Sequence, residues 1–171
     1  MSSVGDEVRV RRRLFEERLD WVVPENEARR YGLRCTCPCC GYPTLLDRYS
    51  YEICELCDWE DDGQDDDDAD KVLGGPNGRY SLTEARKNFA RHLRMYDPRD
   101  FRGNEFAEDS PAQVRAKREM MAAFDDMTKK TDQPDTGTLV RCMNDGEKTL
   151  ADELDRKVRE YEARDRGRKS T

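Results

Sequence analysis

Four of the seven cysteines in this 171-residue chain have the spacing of a metal site. Cys37 and Cys40 form one C-x2-C pair, and Cys54 and Cys57 form a second after thirteen intervening residues. Two residues between ligands let a tight turn aim both sulfurs at one ion, and Gly41 relieves the backbone there. Thirteen residues suffice for a hairpin that brings the pairs together. Four thiolates at about 2.3 Å make a closed tetrahedral site of the structural kind. The spacing therefore predicts one Zn(2+) per chain on Cys37, Cys40, Cys54 and Cys57. Cys35 and Cys39 flank or interrupt the first pair, so a ligand swap is open to them. Cys35 with Cys37 makes a poorer chelate, and Cys39 lies inside the turn. Cys142 is remote and reads as a small core or surface thiol. The same four thiolates suit an iron–sulfur cluster. Thiol redox chemistry is the competing use, but it requires C-x-x-C at the start of a helix after a strand. Pro38 and Gly41 argue for turns instead.

The second chemical feature is acidic. Between Asp58 and Asp70 stand nine carboxylates and no basic residue, in a chain of net charge −7. The rest is close to neutral, which argues against a general nucleic-acid binder with its basic face. The run reads first as a solvated acidic loop; Asp58, Glu60, Asp61, Asp62, Asp65, Asp66, Asp67 and Asp68 are also candidates for docking a basic protein partner. Asp58, Glu60, Asp62 and Gly63 also fit the start of a calcium loop, but Ala69 stands where the bidentate Glu is needed. Trp59 and Tyr51 flank the second pair and are expected to pack over the metal. A base-stacking platform would use the same rings, but the carboxylates beside them repel phosphate.

His92 is the sole histidine and reads as a partly exposed helix residue. No nucleophile elbow, phosphate loop, dinucleotide fingerprint or zinc-protease helix occurs. The expectation is a protein without enzyme activity. The cluster Arg9 to Arg13 offers a nucleic-acid contact, offset by Glu16, Glu17 and Asp20.

The elements that must position these residues follow from pattern. Charged residues make up 40% and apolar ones 35%, which predicts a small centre with polar helices around it and not one large core. Leu14, Phe15, Leu19 and Val22 predict a short helix over 6–22, ahead of Pro24, and a further turn over 25–31. Leu33–Cys37, Thr44–Leu46 and Tyr49–Ile53 read as short strands. Ser81 and Glu84 form a capping box for a helix whose stripe is Leu82, Ala85, Phe89, Leu93 and Tyr96, ending at Asp97-Pro98. On it, Phe89 is core, while Arg86, Asn88 and Arg91 face solvent or the acidic loop. A helix over 112–129 uses Val114, Met121, Phe124 and Met127. Residues 132–138 read as linker, 147–162 as a helix through Leu150, Leu154, Val158 and Tyr161, and the tail as disordered. No internal repeat is evident. No stretch reaches the roughly 20 apolar residues of a membrane span. The N-terminus lacks a secretory core, so the expected location is cytoplasmic, where thiols stay reduced.

The stretches CPCCGYPTL, YEICELCDWEDDG and GGPNGRYSLTEARKNFARH, in that order, resemble the bacterial cysteine-rich CPCC domain family over about residues 35–95. The resemblance implies a small zinc-ribbon-type domain without established activity, and suggests an immunity role against toxins. The acidic loop is longer here than that pattern, and the flanks have no counterpart. The resulting expectation is an α+β fold: a zinc ribbon of β-hairpins with a docked helix over 33–98. A helical extension over 1–32 precedes it. A loop and helix over 99–131, then a linker, helix and tail over 132–171, follow. It would act as a structural zinc-binding interaction module, one special case being an immunity-type inhibitor. The alternatives are a nucleic-acid-associated zinc ribbon and a thiol redox protein.

Overall fold

The computed structural model describes residues 3–17, 34–101, 104, 106–129 and 136–169. Helix α1 spans Val4–Glu16. Ser3 accepts the Asp6 amide and Asp6 reaches back to Ser3, a capping box that opens the helix ahead of the predicted start. Leu19, Val22 and the turn proposed over 25–31 lie outside the described residues. Strands β1 (Cys35–Thr36) and β2 (Pro43–Leu45) form one antiparallel pair, with Cys35 opposite Leu45. The third expected strand, Tyr49–Ile53, is not formed. Tyr49 and Tyr51 adopt left-handed backbone, which cannot continue a ladder, and a single bridge joins Ile53 to Glu60.

Helix α2 spans Leu82–His92, opened by the Ser81–Glu84 box the sequence announces. It stops four residues earlier than expected. Leu93 turns left-handed (φ 58°) and donates its amide to Phe89 O at 2.9 Å, which closes the helix. The chain then crosses to the second cysteine pair, where the Met95 amide donates to Cys57 O at 2.6 Å. Near the other end, the Thr83 amide donates to Ala69 O at 2.8 Å. Helix α2 thus clamps the acidic loop and the cysteine turns together.

Helices α3 (Pro111–Lys129) and α4 (Thr136–Lys169) pack along one another. Ser110 caps α3 and Pro111 takes its first position, where a missing N–H costs nothing. The buried face of α3 is Gln113, Ala116, Lys117, Met120 and Phe124. It is rotated from the predicted stripe, and Val114, Met121 and Met127 lie at its margins. Gly146 of α4 sits against Met120, so closely that a Cβ there would lie 2.5 Å from Met120 Cγ. Helix α4 is far longer than predicted and continues to Lys169, into the segment expected to be a disordered tail. Leu154, Val158 and Tyr161 on it are largely exposed. Ion pairs such as Arg156–Glu160 support this polar length. Phe15 of α1, Tyr42 beside the first cysteine pair and Phe124 of α3 meet with ring centroids 5.7–6.0 Å apart, joining both flanks to the centre. The fold is α+β, and no helix among the described residues is long and apolar enough to cross a membrane.

Candidate metal centre

The two cysteine pairs occupy turns of the same design. In the first, the Gly41 amide donates to Cys37 O and the Cys37 amide to Tyr42 O, at 2.8 and 2.9 Å. In the second, the Asp58 amide donates to Cys54 O and the Cys54 amide to Trp59 O, both at 2.8 Å. Gly41 (φ 79°) and Asp58 (φ 64°) hold the same left-handed position. The pieces Cys37-Pro-Cys-Cys-Gly-Tyr42 and Cys54-Glu-Leu-Cys-Asp-Trp59 are therefore a structural repeat. Their sequences hide it, because an Asp stands for a Gly and a Trp for a Tyr. Gly41 has a second reason to lack a side chain: its Cβ would approach Val8 O of α1 to 3.2 Å.

The turns bring Cys37, Cys40, Cys54 and Cys57 together with all four sulfurs within 4.8 Å of one another. Cys37 and Cys57 Sγ are 3.6 Å apart, and Cys40 and Cys54 Sγ 3.7 Å. A tetrahedral ion with bonds of about 2.3 Å needs sulfurs about 3.8 Å apart. The residues fit a four-thiolate metal ion, and all four cysteines are fully buried. Burial opposes ionisation at every one of them. It raises the Cys37 and Cys57 thiols well above the usual range and raises Cys40 as well. At Cys54 burial is outweighed by hydrogen bonds from Cys37, Cys40, Cys57 and Thr44, and the thiol falls well below that range. Thr44 Oγ1 lies 3.0 Å from Cys54 Sγ. Ionisation is thus favoured at one of the four thiols and opposed at the other three, so metal entry displaces protons.

Trp59 is fully buried beside the second turn, as expected, but Tyr51 is not: it is 61% exposed. Its left-handed backbone swings the ring outward. Cys39 is buried and Cys35 half-buried, and neither joins the four-sulfur group. Cys142 lies on α4, half-exposed, against Glu119 O.

The acidic loop is mostly not a solvated run. Asp61 is fully buried and accepts from Arg48 Nε at 2.9 Å and from the Tyr49 amide at 2.7 Å. Asp65 meets Arg12 and Arg48, the latter at 3.0 Å. Burial works against its charge, yet these hydrogen bonds pull its pKa to about 2. Asp66 accepts from Arg86 at 2.7 Å, and Arg86 also donates from Nε to Pro38 O at 3.0 Å. Arg86 thus faces the acidic loop, one of its two expected settings, and is almost wholly buried there. Asn88 is buried too and donates to Met95 O, whereas Arg91 is exposed. Asp58 pairs with Arg94 at 3.0 Å, and Asp109 and Lys117 complete that cluster. Burial raises the Asp58 carboxyl despite the cations around it. Asn77 donates to Glu60 O and Asp62, and Asp68 accepts the Asp65 amide. Asp66 and Asp67 are exposed; Glu60, Asp62 and Asp68 are partly so. In the basic cluster, Arg9 pairs with Asp6 and Arg12 with Asp65, while Arg11 donates to Cys40 O at 2.6 Å and lies over the Tyr42 ring.

No curated protein and no solved structure matches this chain. A family model does, and it spans both cysteine turns, the acidic loop and α2, leaving residues 1–34 and 98–171 outside. Residues 35–97 match the family model described as cysteine-rich CPCC.

Proposed function

We propose that the CPCC domain is a zinc-stabilised, non-enzymatic module that binds another protein in the cytoplasm. The observation that carries this reading is the closure of the site. Four sulfurs within 4.8 Å of one another, all on fully buried cysteines, would hold an ion away from solvent. Such a site stabilises a fold, whereas a catalytic zinc keeps one position for water or substrate. Zinc is the ion best suited to four thiolates without redox demand. The arrangement also disfavours thiol exchange, because the sulfurs lie on turns under cover and not at a helix N-terminus. The carboxylates left at the surface, with the net charge of −7, favour a basic partner. An inhibitor that covers a basic toxin is the special case. Nucleic acid is disfavoured, since Arg9, Arg11 and Arg12 already have partners within the chain.

The test is a native mass spectrum of the protein purified gently without added metal. One zinc per chain, with the corresponding protons lost, is the expected result, together with negligible RNA or DNA retention at physiological salt. A folded chain free of metal, with paired cysteines, overturns the reading. Retention that falls steeply with salt and with Arg→Ala changes over residues 9–13 transfers it to nucleic acid.

A further inference from the structure

Between the two cysteine turns runs a strap, residues 46–53, whose apolar side chains face outward. Leu46, Tyr49, Tyr51 and Ile53 are each at least 60% exposed. Single exposed apolar residues are ordinary, but four within eight residues are not. The strap is also held rigidly. Its ends are tied by the Leu46 amide, which donates to Glu52 Oε2 at 2.7 Å. The buried Asp61 anchors its middle. The Asp61 carboxylate accepts from Arg48 and the Tyr49 amide, its carbonyl accepts from the Tyr51 amide at 3.1 Å, and its own amide donates to Glu52 O at 3.0 Å. The Tyr49 ring rests on Gly63, where a Cβ would come within 3.0 Å of it. Both tyrosines hold left-handed backbone, φ 63° and 59°, a conformation unfavourable for aromatic residues. A fully buried carboxylate thus holds two tyrosines in an unfavourable backbone, with their side chains facing water.

The charge around the strap selects the partner. Arg48 is the one basic residue between Leu46 and Gly63, and it is engaged by Asp61 and Asp65. Asp47 and Glu52 neighbour the tyrosines in the chain, and Glu60 bridges to Ile53. We infer that the strap is the partner-docking surface, and that it takes an extended protein segment alternating arginine or lysine with apolar residues. The apolar side chains cover Leu46 and Ile53, and the cations lie over the Tyr51 ring and pair with the carboxylates, the Tyr49 ring already having the Arg48 guanidinium 5.0 Å from its centroid. Rigid aromatic side chains lose little freedom on binding, which suits them to this role. The same carboxylates oppose an anionic membrane surface. This inference rests on the reading of the domain as a protein-interaction module, and it moves the contact from the acidic loop to the strap.

The experiment uses the zinc-loaded full chain, isotope-labelled, with three synthetic dodecapeptides: alternating arginine and leucine, alternating glutamate and leucine, and alternating arginine and serine. The arginine–leucine peptide should shift amide resonances centred on residues 46–53. It should bind at least tenfold more tightly than either control. The double variant Tyr49→Asn, Tyr51→Asn should lose at least tenfold in affinity with metal content unchanged, because asparagine tolerates the left-handed backbone. Equal binding of the arginine–serine peptide, with shifts at Asp66–Asp68, overturns the strap while leaving an acidic protein-binding surface intact. Shifts in 46–53 that grow with protein concentration, or co-sedimentation with phosphatidylcholine vesicles lost in the double variant, also overturn it in favour of self-association or lipid. Absence of binding by any of the three peptides overturns it too, and the mass spectrum and nucleic-acid retention then decide the broader reading separately.

Discussion

Replacing Arg86 by methionine tests whether α2 holds the metal turns in place. The guanidinium is almost wholly buried and bonds two things at once: Pro38 O within the first turn, at 3.0 Å, and Asp66 in the acidic loop, at 2.7 Å. Methionine keeps much of the apolar stem and deletes both bonds. Pro38 is buried, so its carbonyl is left without this partner, a loss of about 1–3 kcal/mol. Asp66 retains partial exposure and Arg12 at 3.4 Å, so its share is smaller, about 1 kcal/mol. The sum is about 3 kcal/mol. If it acts on the metal-bound state alone, zinc affinity falls about 100-fold. Competition against a chromophoric chelator measures this directly. Arg86→Lys should not rescue it, because a single ammonium lacks the planar fork that spans both acceptors. Zinc affinity within threefold of wild type and an unchanged melting curve would refute the reasoning. It would mean that the desolvation of Arg86 cancels its bonds.

Cys57→Ser should lose the metal and unfold residues 35–97, seen as lost near-ultraviolet signal from Trp59 and zero bound zinc, because ion binding is part of the folding free energy. Cys142→Ser, which alters one weak contact to Glu119 O, should change stability by less than about 0.5 kcal/mol. Gly146→Ala should destabilise by about 1 kcal/mol in a denaturant titration, although helix propensity alone predicts a gain, because its Cβ would strike Met120. Asp65 has a folded pKa of about 2, below the ordinary value of about 3.9, so its stabilisation is complete above that ordinary value and is lost as pH falls through 2. Since Asp65 is half-exposed, the contribution is about 1 kcal/mol after screening. The stability gap between wild type and Asp65→Asn should therefore close between pH 4 and about 2 in acid-unfolding curves.

The sequence by itself determined the parts of this protein whose physics is local. Two C-x2-C spacings specify a chelate because two residues are what a turn needs to aim two sulfurs at one ion. Ser81 and Glu84 specify where α2 begins because a capping box is made within four residues. The tertiary structure decided everything that depends on which distant side chains meet. The run Asp58 to Asp70 reads as solvated because its counter-charges, Arg12, Arg48, Arg86, Arg94 and Lys117, are scattered over a hundred residues and converge only on folding. The likeness of the two cysteine turns is likewise carried by backbone hydrogen bonds and by left-handed positions at Gly41 and Asp58, which residue types do not reveal. Tyr51 was expected over the metal by its proximity in sequence. Its outward direction is set by Asp61, ten residues away, whose burial requires the Arg48 side chain and the amide of Tyr49, and so fixes the strap.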